Sequence, residues 1–174
     1  RGALFRESYE YIRHVGEVKP TFDNAFGSLG GQLDMLPKPQ AHKLPLLITG
    51  ASQQSGEWLA NNGDGWITYP KAHSLQAQFI RQLRQDTIRQ DETKATISKP
   101  VMEPLYIDLA KDPDSPAQPI HLGFRIGLNQ LRNYLKSRRE IGVNHVALNL
   151  RFNQQDTQKT LKNLAENLLA EFNN

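Results

Sequence analysis

The chain has 174 residues, 21 Lys and Arg against 18 Asp and Glu for a formal net charge of +3, 38% hydrophobic and 22% charged residues, and no cysteine. That is the composition of one folded domain or part of a larger one, and it excludes disulfides, cysteine-ligated zinc, iron–sulfur clusters and thiol nucleophiles. The cationic excess is spread without a Lys/Arg block, which argues against nucleic acid as a partner; no run reaches the ~18 apolar residues of a membrane span, and the chain reads as cytoplasmic.

The chain opens at Arg1 directly in a helical pattern with Phe5, Tyr9, Ile12 and Val15 on one face, and is expected to be part of a longer product. Residues 19–44, with Pro20, Gly27, Gly30, Gly31, Pro37 and Pro39 among scattered apolar residues, read as a long lid-like loop. Pro45 to Thr49 is a short apolar run, the mark of a buried parallel strand, and a helix is expected from Ser52 to Asn62. Gly65 to Pro70 reads as a second strand, followed by a helix from Ser74 to Arg89 with Leu75, Phe79, Ile80 and Leu83 inward. Leu105 to Leu109 is the third strand. A Pro-rich connector at 112–119 then leads to a short extra strand at Ile120 to Phe124 and a helix from Leu128 to Ile141. Val146 to Leu150 is the fourth strand, and Asp156 caps a helix with Leu161, Leu164, Leu168 and Phe172 inward. Four strand–helix units make a parallel sheet: half of an eight-stranded barrel or, alternatively, an open doubly wound sheet.

The stretch Thr49-Gly50-Ala51-Ser52-Gln53-Gln54-Ser55-Gly56 lies between a strand and a helix, on the side where α/β folds bind ligands. Gly50 permits a sharp turn and Ser52 is the expected N-cap. The amides of Gln53, Gln54 and Ser55 would then form a phosphate pocket, an N-cap without a ligand being the plainer alternative. Walker A fails because Glu57-Trp58 follows Gly56, the dinucleotide fingerprint lacks its spaced glycines, and a nucleophile elbow built on Ser52 has Gln54 where glycine is needed. The histidines at 14, 42, 73, 121 and 145 have no metal-ligand spacing, so no metal is expected, and His145 reads as structural. Strand C-termini nominate Thr49, Tyr69, Asp108 and Arg151 for a pocket, with Arg125 between Gly123 and Gly127 placed to meet an anion or to pair with Asp108. No catalytic residue is nominated.

The run from Leu44 to Ala60 through Thr49-Gly50-Ala51-Ser52, continued by Gly63-Asp64-Gly65-Trp66-Ile67, resembles the luciferase-like flavin monooxygenase family. The helix around Phe5 to Arg13, the Leu36-Pro37-Lys38-Pro39 stretch and Gly142 to Ala147 agree with it. The resemblance implies a TIM-type (β/α)8 barrel, of which these 174 residues are the C-terminal half, and a reaction in which reduced FMN and O2 oxidise an organic substrate. It places the FMN phosphate on Gly50, Ala51, Ser52 and Gln53. It also implies a reductase that supplies reduced flavin and, in related branches, a deazaflavin in place of FMN. Four parallel strands cut from a barrel leave two open edges, so the chain is expected to self-associate. The residues that flank the flavin ring in the family lie in strands absent from this sequence. A non-catalytic flavin- or phosphate-binding half-barrel is the alternative.

Overall fold

The computed structural model describes residues 1–41, 43–90 and 99–172. In chain order it holds α1 (Gly2–His14), β1 (Thr21–Asn24), β2 (Gly27–Gly30), β3 (Leu47–Thr49), α2 (Gly56–Asn62), β4 (Gly65–Ile67), α3 (His73–Gln90), β5 (Val101–Leu109), β6 (Gln118–Ile120), β7 (Gly123–Ile126), α4 (Leu128–Glu140), β8 (His145–Asn149) and α5 (Thr157–Leu164). The last helix continues through a π-helical turn at Ala165–Leu169 into α6 (Ala170–Phe172).

β5 is the hub of a mainly parallel six-stranded sheet, and backbone bonding shows which edge each neighbour takes. The N–H groups of Trp66 and Thr68 donate to the carbonyls of Pro100 and Met102, and those of Tyr106 and Ala110 donate to Leu122 and Ile126. In a parallel strand the N–H and C=O of one residue point the same way, so β4 and then β7 share one edge of β5. The Asn144 N–H donates to the Val101 carbonyl, which puts β8 on the other edge. The parallel strands β3, β4, β5 and β8 therefore run across the sheet in chain order, without the reversal of a doubly wound sheet.

Strand periodicity then sorts the two faces. Ile48, Trp66, Val101, Leu105, Ile107, Leu109 and Ile126 point to the helices, forming two clusters with Tyr9, Leu59, Ile80 and Leu83 on one side and Leu131, Leu135, Leu164 and Leu168 on the other. Leu47, Thr49, Ile67, Met102, Pro104, Tyr106, His145, Ala147 and Asn149 alternate with these, and none belongs to either cluster. That second face includes exposed Thr49, His145, Ala147 and Asn149.

Four expectations are corrected. The 19–44 loop contains an antiparallel hairpin, Thr21 opposite Gly30 and Asn24 opposite Gly27. The single strand at Ile120 to Phe124 is broken at Leu122, whose φ is 55°, so that β6 turns back antiparallel on β7. Gly123 lies so close to Tyr106 that a Cβ would stand 1.7 Å from its carbonyl oxygen, and only glycine allows that approach. Leu75 and Leu161 point to solvent, while Gln76 and Thr160 take buried positions on their helices.

Candidate functional site

The turn after β3 differs from the expected helix cap. Ser55, not Ser52, is the N-cap of α2, and its side chain accepts the Trp58 N–H at 3.1 Å. The helix starts at Gly56, because Gly50, Ser52 and Gln53 all adopt left-handed backbone with φ of 61°, 49° and 58°. Three such residues in four hold the chain in a tight, strained coil that only surrounding contacts maintain. Those contacts are present. The Gly50 N–H donates to Ile67 at 2.7 Å, the Trp66 indole donates to the Gly50 carbonyl at 2.7 Å, and the Ser52 hydroxyl donates to the Thr49 carbonyl at 3.1 Å. Gln54 is buried; its amide donates to Gly2 and Ser52 and accepts from Arg6 at 2.5 Å, tying α1 to the turn.

The donor set left over is the chemically informative part. The Gln54 N–H is spent on Ala51, so the expected pocket of Gln53, Gln54 and Ser55 amides does not form as drawn. The N–H groups of Ala51, Ser52 and Gln53 have no partner among the described residues. A Cβ on Gly50 would meet nothing within 4 Å, so the turn opens onto free space. Free amides in a left-handed coil are a donor set suited to an anion. The Ser52 hydroxyl has its bond to Thr49 and no histidine beside it among the described hydrogen bonds, which leaves a serine nucleophile unsupported.

Of the two partners expected for Arg125, an anion or Asp108, the structure shows Asp108, paired with it across β5 and β7 at 3.5 Å. Asp108 is buried and also accepts the Gln154 N–H at 2.9 Å, while Arg125 donates to the Gln154 side chain at 3.2 Å. Together with Lys111, Ser115, Gln118 and Gln155 they line a cavity of about 670 Å³ at the C-terminal end of the sheet. Gln154 and Gln155 were missed in the sequence, since they sit in an aperiodic turn where polar residues are ordinary.

The remaining candidates do not join one pocket. Thr49 is level with Ile67 and Met102 in the ladder, and Asp108 is six residues further along β5, on the order of 20 Å higher at ~3.3 Å per residue. Tyr69 is exposed just past β4. Arg151 is exposed, with its guanidinium 5.8 Å from the centre of the Phe152 ring. Among the described residues no group of three His, Asp or Glu side chains is placed to hold a metal; His42 lies outside them. No described helix is long and apolar enough to cross a membrane.

The strongest charge cluster serves a different purpose. Asp64, just before β4, accepts from Arg13 at 2.5 Å, Lys43 at 2.6 Å and the Leu46 N–H at 2.8 Å. Burial alone would raise its carboxyl, but the hydrogen bonds from Lys43, Leu46 and Arg13 outweigh burial and hold it at about 2. This joins α1 and the 19–44 segment to the N-terminal end of the sheet, away from the candidate turn.

No family model matches the chain, and no curated protein sequence matches it. Its fold is shared with an F420-dependent secondary alcohol dehydrogenase, solved in complex with an F420-acetone adduct, at a TM-score of 0.53 and 14% identity over 84% of this chain and 53% of that one. It is also shared with monooxygenase RslO1 from Streptomyces bottropensis, at a TM-score of 0.74 and 16% identity over 98% of this chain and 61% of that one. The chain thus spans a little over half the length of either protein. At these identities the likeness establishes the fold.

Proposed function

We propose that the chain is the C-terminal half of a luciferase-like barrel enzyme, an FMN-dependent monooxygenase in which this half binds the flavin phosphate and the preceding half completes the ring and substrate pocket. The turn from Gly50 to Gln53 carries the reading: it has three unpartnered N–H groups, opens onto free space and stands at the C-terminal end of a parallel strand. Three further features support it: the one-way strand order β3, β4, β5, β8, the sheet face left outside both helix-packed clusters, and the fold shared with a monooxygenase and an F420-dependent dehydrogenase.

Bound reduced flavin supplies the electrons that activate O2 for transfer to an organic substrate. In this chain the Ala51, Ser52 and Gln53 amides receive the phosphate, and the Trp66 indole and the Gln54 amide hold the turn in shape before the ligand arrives, which removes ordering cost from binding. The Asp108–Arg125–Gln154 network ties β5 and β7 to the turn after β8. A flavin reductase is the implied partner, and the edges of β3 and β8 that have no partner strand among the described residues are where a second chain or the preceding half would pair.

Gly50→Ala tests the assignment. Its methyl clashes with nothing but forces a left-handed alanine, a strain of about 1–2 kcal/mol that disturbs the backbone presenting the free amides. In the full-length protein FMN binding, followed by flavin fluorescence, is expected to weaken more than tenfold in a folded variant. Unchanged FMN affinity with native circular dichroism would show that the turn is structural, and F420 titrated in parallel tells which ring system the site prefers.

A further inference from the structure

We propose that α1 and the β1–β2 hairpin enclose a binding site for a small organic cation, an alkylated ammonium held by aromatic rings and the Glu7 carboxylate. The site shares no residue with the turn at Gly50 and does not depend on flavin.

α1 divides its residues between two sides. Phe5 and Tyr9 turn inward, where they meet the Trp58 ring edge-on at 5.8 and 5.1 Å and join the core. Glu7 and Tyr11 each follow two residues later, about 200° around the helix, and therefore face away from the sheet. The hairpin lies against that outer side. Its residues alternate between two faces, so Phe22 and Asn24, with their partners Leu29 and Gly27, share the face that looks onto α1. Phe22 meets Tyr11 there at 5.1 Å, with the ring planes 77° apart. The site thus lies outside the helix layer, apart from the open sheet face and the strand edges.

Packing between the two elements is incomplete. A cavity of about 400 Å³ remains between Glu7 and Tyr11 on one side and Phe22 and Phe26 on the other, within the size range of small-ligand sites. A Cβ on Gly27 would meet nothing within 4 Å. The Phe26 N–H donates to the Asn24 side chain at 2.8 Å, which fixes the hairpin tip, yet the residue keeps 60% of its surface free. Of the described residues that line the cavity only Glu7 is charged, and no described residue gives it an ion pair or hydrogen bond. Three rings and one unpaired carboxylate are complementary to one class of ligand. The negative ring faces and the carboxylate both attract a cation, and the rings replace water around its alkyl groups. An anion is repelled by Glu7, and a neutral apolar ligand gains nothing from it.

The probe is choline, compared with 3,3-dimethylbutan-1-ol, which has carbon in place of the ammonium nitrogen at nearly the same shape. Each is titrated against the full-length protein without flavin, by ligand-observed NMR at constant chloride. Choline is expected to bind several-fold more tightly than the neutral alcohol. Glu7→Gln, which removes the charge alone, is expected to weaken choline about two- to fivefold and to leave the alcohol unchanged. Phe26→Leu keeps apolar bulk without a ring and is expected to weaken choline by a similar factor; its exposed position makes it the second variant should Glu7→Gln fail to fold. No binding of choline, equal binding of choline and the alcohol, or unchanged choline affinity in both folded variants would each overturn the proposal.

Discussion

Arg138→Met is expected to be among the most damaging single substitutions in this chain, although it replaces a polar residue with an apolar one of similar length. Arg138 on α4 and Glu103 on β5 are 2% and 0% exposed and make a bidentate pair, Nε to Oε2 at 2.9 Å and Nη2 to Oε1 at 2.5 Å. Arg138 also donates to the Lys71 carbonyl at 3.2 Å and lies 5.6 Å from the centre of the Tyr134 ring. Burial, with the Glu103 charge adding to it and Arg138 opposing, pushes the Tyr134 hydroxyl up to about 12. Removing the guanidinium strands a carboxylate in a dry site, at a cost of about 3–5 kcal/mol, a large part of the roughly 5–15 kcal/mol that holds an ordinary domain together. Removing both charges in Glu103→Leu/Arg138→Met is different: the desolvation penalty disappears with the pair, so the double variant is expected to lose less than about 1.5 kcal/mol. Urea unfolding of the parent, both single variants and the double variant, followed by circular dichroism, closes the cycle. A single variant that loses under about 1 kcal/mol, or a double variant whose loss equals the sum of the singles, would refute the claim that the buried pair acts as one unit.

Two further outcomes follow from other polar positions. Because the folded carboxyl of Asp64 sits near 2 rather than at its ordinary 3.8, its contribution is present above about pH 4 and lost as the pH falls toward 2. Discounted for partial solvent screening it is about 1 kcal/mol, and Asp64→Asn should flatten that limb of the stability–pH curve; an unaltered acid limb would contradict the assignment. Gln76 is 0% exposed with both side-chain amide atoms unpartnered among the described residues, so Gln76→Met is expected to be neutral or to stabilise by up to about 1 kcal/mol in the same urea assay, and a clear loss of stability would mean that the amide is satisfied in solution.

Local chemistry sufficed for much of this protein. Apolar runs such as Pro45 to Thr49 and Leu105 to Leu109 marked strands because they sit between turn residues, although β5 begins earlier, at Val101, and Asp156 announced α5 because its carboxylate can bond the Lys159 N–H, as it does at 2.9 Å. The pairing of Asp108 with Arg125 and the place of the turn at Gly50 were also legible, since strand ends and glycine breaks are sequence-local features. Other features were decided by contacts between segments far apart in the chain. Ser52 looked like a helix cap until the bond from the Trp66 indole to the Gly50 carbonyl and the bond from the Gly50 N–H to Ile67 held the turn in its left-handed coil and moved the cap to Ser55. Leu75 and Leu161 fitted a helical stripe, but rotation of a helix against the sheet is set by what it packs on, and buried Gln76 and Thr160 took the inward positions. The Glu103–Arg138 pair and the Tyr106–His121–Phe152 ring cluster join residues with no mutual spacing signal, brought together by the packing of α4 on β5 and by the turns beside β7 and β8. Periodicity along the chain could determine the elements and where the strands end; only the packed sheet could decide which amides stay unpartnered among the described residues and which sheet face lies outside both helix-packed clusters.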